Sequence, residues 1–78
     1  MTARTVDDRY RVGLVSDIGT VELWLTPRRR TTPAAWEAGE FTWAEASDFR
    51  RWAKDHIRPK PSPWLRWTVL PVLVEVVR

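Results

Sequence analysis

Two stretches near the start of the chain carry an apolar residue at every second position, between residues 9 and 15 and again between 20 and 26. The apolar positions are Tyr10, Val12, Leu14, Val21, Leu23 and Leu25. A period of two is typical of strands with one buried face. Asp17 and Gly19 supply turn chemistry between the stretches, and Pro27 ends the second one. The pattern therefore predicts a β-hairpin.

Helical signals follow in the middle of the chain. The segment from Thr32 to Gly39 is expected to form one short helical turn, capped by Thr32. Thr42 and Glu45 form a capping-box pattern, and Pro59 disfavours helical geometry in the residue before it. The main helix is therefore predicted between these signals. At about 100° per residue, one stripe of it is apolar and consists of Ala46, Phe49, Ala53 and Ile57.

A third strand is predicted from Leu65 to Val77, which is rich in β-branched residues. Pro71 has no N–H to donate, so it belongs at a bulge or on an open edge. Beyond it both faces are apolar, as in a strand that is central or covered. We expect this strand beside the first one and antiparallel to it, while a place next to the second strand stays open.

The order of these elements predicts an α+β fold, with a small three-stranded, mainly antiparallel sheet (β-β-α-β) and one amphipathic helix packed on one face. Residues 9–78 form this single domain, which agrees with a length of 78 residues. Residues 1–8 lack periodicity and are expected to form a flexible arm.

The composition limits the cellular locations and the kinds of site that can be expected for this protein. The chain has no cysteine, so neither a disulfide nor a thiolate metal site is available. The polar N-terminus lacks the apolar core of a signal peptide, and no apolar run approaches the ~20 residues that span a bilayer. These observations predict a cytoplasmic protein without a membrane partner.

Catalytic signals are sparse. His56 is the one histidine of the chain, and neither a clustered ligand set nor a glycine-rich phosphate loop accompanies it. A packed or surface histidine is the favoured interpretation, against a remote alternative of hydrolysis that involves His56. We therefore expect a non-enzymatic protein with no metal and no cofactor.

Six tryptophans in 78 residues are the unusual feature of the composition. A core this small is not expected to hide them all, and exposed aromatic surface marks partner sites. The predicted function is a protein-interaction module, either a homo-oligomer or a module that docks on another protein, through the open sheet face or the edge of the third strand. The alternative is that residues 27–40 cover this face, with Trp36 as the plug. The residues expected to bind a partner are Trp24, Trp36, Trp64, Trp67 and Leu73.

Nucleic-acid binding is the alternative function. The net charge of +3 is too small to establish it alone. An arginine-rich loop and a basic helix flank, which Lys60 extends, would contact phosphates, while interleaved tryptophans would stack on unpaired bases. The residues expected to do so are Arg28, Arg29, Arg30, Arg50, Arg51, Lys54 and Arg58.

The segments Tyr10-Arg11-Val12 and Phe41-Thr42-Trp43-Ala44-Glu45-Ala46, followed by a valine-rich C-terminal strand, resemble those of small orphan accessory proteins of phages that infect high-G+C actinobacteria. The usage of arginine, tryptophan, alanine and valine is similar as well. That group has no shared catalytic residues to carry over. The resemblance implies that the chain binds a component of the host.

Overall fold

The computed structural model describes the backbone of residues 2–58 and 60–76 and the side chains of residues 8–58 and 60–72. Within these residues, one α-helix and four strands form an α+β fold, which confirms the predicted class. A short 3-10 helix precedes the α-helix. The elements are β1 (Thr2–Ser16), β2 (Val21–Leu25), β3 (Thr31–Thr32), the 3-10 helix (Ala35–Glu37), α1 (Trp43–His56) and β4 (Leu65–Val76).

The strands form one sheet in the order β3-β2-β1-β4, and every pairing is antiparallel. The predicted hairpin is β1–β2, and the last strand lies beside the first, as expected. The predicted number of three strands is wrong, because Thr31–Thr32 add a short strand at the far edge of β2. Two residues are too few to show a period of two, so the sequence pattern did not reveal this strand.

β1 begins earlier than the sequence pattern indicates. Residues Thr2–Thr5 pair with Leu73–Val76 of β4, although residues 1–8 were expected to form a loose arm. That prediction is wrong for the residues that pair, because main-chain hydrogen bonds between strands require no alternation of apolar side chains. The ladder shifts register between Thr5 and Tyr10.

The helix matches its sequence signals closely. The Thr42 hydroxyl accepts the Glu45 N–H at 3.2 Å, and the Glu45 carboxylate accepts the Thr42 N–H at 3.1 Å. The hydrogen bond that the Thr42 N–H donates to the carboxylate, followed by the Thr42 side chain and the charge of Arg9, holds the pKa of Glu45 below its ordinary value. α1 ends at His56, with Ile57 as its C-cap, three residues before Pro59, which agrees with the stop signal that this proline provides. Thr32 instead lies in β3, where its hydroxyl accepts the Ala34 N–H at 3.1 Å, so its predicted role as a helix cap is wrong.

The core lies between α1 and one face of the sheet. The predicted stripe of α1 packs there, with Ala46 and Ala53 fully buried and Phe49 and Ile57 at its margin. Phe41 closes one end of the core, because its ring stacks on Phe49 with the centroids 4.4 Å apart. The buried sheet residues beneath the helix are Val12, Leu14, Leu25 and Trp67.

Candidate functional site

The sheet face opposite α1 carries an apolar surface that the helix does not cover. Val12 and Leu14 point into the core, so the residues that alternate with them, Gly13 and Val15, lie on the opposite face. Their partners across the ladders share that face. We call this surface the open face, and its members are Arg11, Gly13, Val15, Val21, Trp24, Arg66, Thr68 and Leu70.

Gly13 lies at the centre of the open face and shows how closely its neighbours pack. A methyl group on Gly13 would lie 3.0 Å from Val21 Cγ1 and 3.3 Å from Leu70 Cδ1. Two aliphatic side chains, one from β2 and one from β4, therefore reach over β1 toward a position that has no side chain. Val21 and Leu70 remain half-buried, so their outer surfaces face solvent.

Trp24 extends the open face toward β3, and Arg11 holds its indole. The guanidinium carbon of Arg11 lies 5.9 Å from the centroid of the Trp24 ring. Arg11 Nη2 also lies 3.5 Å from Glu40 Oε2. A cation held between an aromatic ring and a carboxylate restricts both partners, so this end of the open face is ordered before any partner binds.

Exposure of the tryptophans supports the expectation that the core cannot hide all six. Trp36 is 85% exposed, Trp64 is 61% exposed and Trp43 is 57% exposed. The exposure of Trp36 also excludes the alternative in which its indole plugs the open face. Trp24, by contrast, is half-buried within that face.

Two of the five expected partner-binding residues have a different outcome. Trp67 is only 6% exposed and lies in the core, so its prediction as a partner contact is wrong. The physical reason is the strand alternation, since Trp67 lies opposite Leu14 and therefore faces α1. The side chain of Leu73 lies outside the described residues, although its backbone pairs with Thr5.

The outer edge of β4 was the other expected docking surface, and two residues obstruct it. Tyr10, the partner of Pro71, exchanges both backbone hydrogen bonds with Phe41 on the far side of β1, at 2.8 Å each. Tyr10 and Pro71 therefore form a non-hydrogen-bonded pair, in which the backbone N and C=O groups of each residue point away from the other residue. The nitrogen of Pro71 accordingly faces the free edge of β4, where it offers no donor. Four residues earlier, Arg50 Nε donates to the carbonyl of Trp67 at 2.9 Å. This edge is therefore a poor template for strand addition.

The seven basic residues expected to bind nucleic acid do not form one surface. Arg29 packs on the flank of α1 that carries Phe49 and Trp52, 5.3 Å from the centroid of each ring. Acidic Glu45 and Asp48 line the same flank. Arg28 and Arg30 lie in a separate recess at the end of the sheet, and Arg50 and Lys54 lie on the β4 side of α1. Arg51 is exposed elsewhere on the helix, and Arg58 is exposed beyond its C-terminal end.

A basic groove with a volume of about 370 Å³ lies on the β4 side of α1. The loop 60–63 and the beginning of β4 complete it. Arg66 was not among the expected basic residues, because its strand position gave no sign that it would approach the helix flank. The groove is lined by Arg50, Lys54, Lys60, Pro61, Ser62, Pro63, Leu65, Arg66 and Trp67.

His56 has ordinary packing on the helix flank. Its ring stacks parallel to Trp52, with the centroids 5.4 Å apart, and its Nδ1 lies 3.0 Å from the Trp52 carbonyl oxygen.

Among the described residues, no group of three or more His, Cys, Asp or Glu side chains is arranged to hold a metal ion. In that same part of the chain, no helix combines the length and apolar character needed to cross a bilayer.

Comparisons with protein-family models, curated proteins and solved structures find no match for this chain. The functional argument therefore rests on the geometry of its own surfaces.

Proposed function

We propose that this chain is a non-enzymatic protein-interaction module that self-associates through the open face. The observation that carries the proposal is the one-sided cover of the sheet, since α1 packs on one face and leaves Val21, Trp24 and Leu70 on the other. An apolar sheet face that no other element covers is a candidate interaction site, and the largest apolar patch of a small protein often serves such a role. Tryptophan and arginine, which meet here as Trp24 and Arg11, are enriched among interface residues that dominate binding.

Charge placement on the open face favours a second copy of the chain as the partner. Val15 lies opposite Val21 on β2 and opposite Arg66 on β4. Glu22 is the bulge residue between Val21 and the core-facing Leu23, so strand alternation places it on the open face as well. Arg66 and Glu22 are therefore at the same height on strands that flank β1, and both are exposed. When two such faces stack around a two-fold axis parallel to the strands, β4 of one copy lies over β2 of the other. Each Arg66 then meets the partner's Glu22, as in an isologous interface.

The size of the open face sets the expected strength of association. Three strands about 4.8 Å apart and five residues at about 3.3 Å each give a surface of about 14 by 17 Å. That is a few hundred Å², less than the roughly 800 Å² that each partner of a standard complex buries. We therefore expect a weak, reversible dimer whose population rises with protein concentration.

Sedimentation velocity over a concentration series tests the proposal. Thr68→Lys places a charge beside Gly13 on the open face, and Leu70→Lys replaces one of the two aliphatic side chains that reach over Gly13. Both variants are expected to sediment as monomers at concentrations where the wild type is dimeric, because an unpaired charge in the interface must be desolvated.

Trp36→Ala is the matched control, since it removes a more exposed indole that lies outside the open face. It is expected to leave the dimer unchanged. Circular dichroism verifies that each variant is folded. A wild type that stays monomeric throughout the series, or folded Thr68→Lys and Leu70→Lys variants that dimerise like the wild type, would contradict the proposal.

A further inference from the structure

The basic groove on the β4 side of α1 combines four cationic residues with no acidic one. Arg50 and Lys54 come from the helix, Lys60 from the proline-rich loop and Arg66 from the edge strand. The one ion pair among the described side chains joins Arg11 to Glu40, so none of the four is neutralised by a described carboxylate. Converging like charges repel one another, and an anionic ligand relieves that repulsion.

Arg50 is held in position for such a ligand. Its Nε donates to the carbonyl of Trp67 at 2.9 Å, which fixes the plane of the guanidinium. The terminal nitrogens form no hydrogen bond with the described residues, so they remain available as donors. A planar pair of N–H donors matches two phosphate oxygens, and the two lysines add point charges around it.

We infer that this groove binds single-stranded nucleic acid. The four cations account for phosphate binding, and Trp64 supplies the feature that selects unpaired bases. Trp64 is 61% exposed and lies in the chain between Pro63 and Leu65, which both line the groove, so a solvent-accessible indole stands next to the groove wall. Cationic grooves flanked by exposed aromatic rings bind single strands, because phosphates pair with the cations while bases stack on the rings.

Fluorescence anisotropy with a labelled oligothymidylate, measured over a range of salt concentrations, tests the inference. Four neutralised phosphates on a single strand predict a slope of log K against log salt of about −2.8. Lys54→Gln combined with Lys60→Gln removes two of the contacts, so the slope is expected to fall to about −1.4. Arg28→Gln combined with Arg30→Gln removes the same charge from outside the groove and is expected to leave the slope unchanged.

The Trp64→Ala variant distinguishes binding of nucleic acid from binding of any other polyanion. Loss of one stacked base is expected to weaken oligothymidylate binding about 5- to 150-fold. Inorganic polyphosphate carries no base, so its affinity is expected to be the same for the wild type and this variant. Trp36→Ala, another exposed indole distant from the groove lining, is the control and is expected to bind oligothymidylate like the wild type.

Several outcomes would overturn the inference: no binding at low salt, an unchanged slope in the double lysine variant, or polyphosphate binding as tight as that of oligothymidylate with no effect of Trp64→Ala. Tighter binding to a duplex than to the single strand would also overturn it. Lys54 and Lys60 lie outside the open face, so sedimentation of the double lysine variant reports on dimerisation independently.

Discussion

Of the three glycines, Gly39 has the least room for a side chain, because the ring of Phe41 lies against it. A methyl group on Gly39 would lie 2.4 Å from Phe41 Cζ and 2.9 Å from Cε2. Ordinary van der Waals contact begins at about 3.4 Å, so the ring would have to move by about 1 Å. Gly39→Ala therefore forces either the ring or the loop backbone out of place.

Neither the ring of Phe41 nor the loop backbone at Gly39 can move freely. Phe41 is only 5% exposed, its ring stacks on Phe49 at 4.4 Å, and its backbone is bonded twice to Tyr10 at 2.8 Å. The N–H of Gly39 donates to the Leu25 carbonyl at 3.0 Å, which anchors the loop. Overpacking of this kind costs about 1–3 kcal/mol, and the fixed surroundings place Gly39→Ala near about 3 kcal/mol. For a domain of this size, that loss lowers Tm by about 12–24 °C.

Thermal unfolding followed by circular dichroism measures this change. Gly13→Ala is the matched control, because its methyl group would lie no closer than 3.0 Å to Val21 Cγ1, 3.3 Å to Leu70 Cδ1 and 3.5 Å to the Leu23 carbonyl oxygen. It is expected to cost less than about 1 kcal/mol. In a Phe41→Leu background the added cost of Gly39→Ala is expected to fall below about 1 kcal/mol, since the ring that it displaces is gone. A fall in Tm of only a few degrees for Gly39→Ala alone would refute this account of the packing.

Three further predictions concern the helix cap and the dimer. Thr42→Ala is expected to lower the free energy of unfolding by about 1 kcal/mol in urea titrations, while Thr31→Ala on the exposed edge changes it little. Because the folded-state pKa of Glu45 is lowered, its charge stabilises the fold above the unfolded pKa, and this contribution is lost as pH falls through the folded pKa. The stability difference between the wild type and Glu45→Gln is therefore expected to shrink from about pH 7 to about pH 3; a constant difference would contradict it. In sedimentation experiments, Glu22→Arg or Arg66→Glu alone is expected to weaken the dimer, and the two together to restore it.

Local signals explain the parts of the fold that the sequence predicts well. The hairpin follows from a period of two around a turn, and α1 follows from its cap, its apolar stripe and the proline that stops it. Each of these signals lies within a few residues of the element that it specifies. The pairing of Thr2–Thr5 and the strand Thr31–Thr32 depend instead on backbone contacts with distant segments, which leave no periodic trace.

The surfaces were predicted less completely, because they depend on how the elements pack. Alternation along β4 shows that Trp67 and Arg66 lie on opposite faces, but the pairing with β1 decides which face meets the helix. A helical wheel places Arg50 and Lys54 on one flank, yet only the tertiary structure shows that Arg29 packs on the other flank. The open face could be predicted in outline, because one helix covers only one side of a sheet.

Arg66 belongs to both proposed surfaces, and this sharing couples them. Its strand position places it on the open face, and it also lines the basic groove. In the proposed dimer Arg66 pairs with the partner's Glu22, so the groove loses one of its four free cations. Nucleic acid must then bind the monomer better than the dimer, and by thermodynamic reciprocity it must weaken dimerisation by the same factor. The salt slope measured with a dimeric sample is expected to be shallower by about 0.7 than with the wild type diluted until it is monomeric, and equal slopes would show that Arg66 does not serve both surfaces.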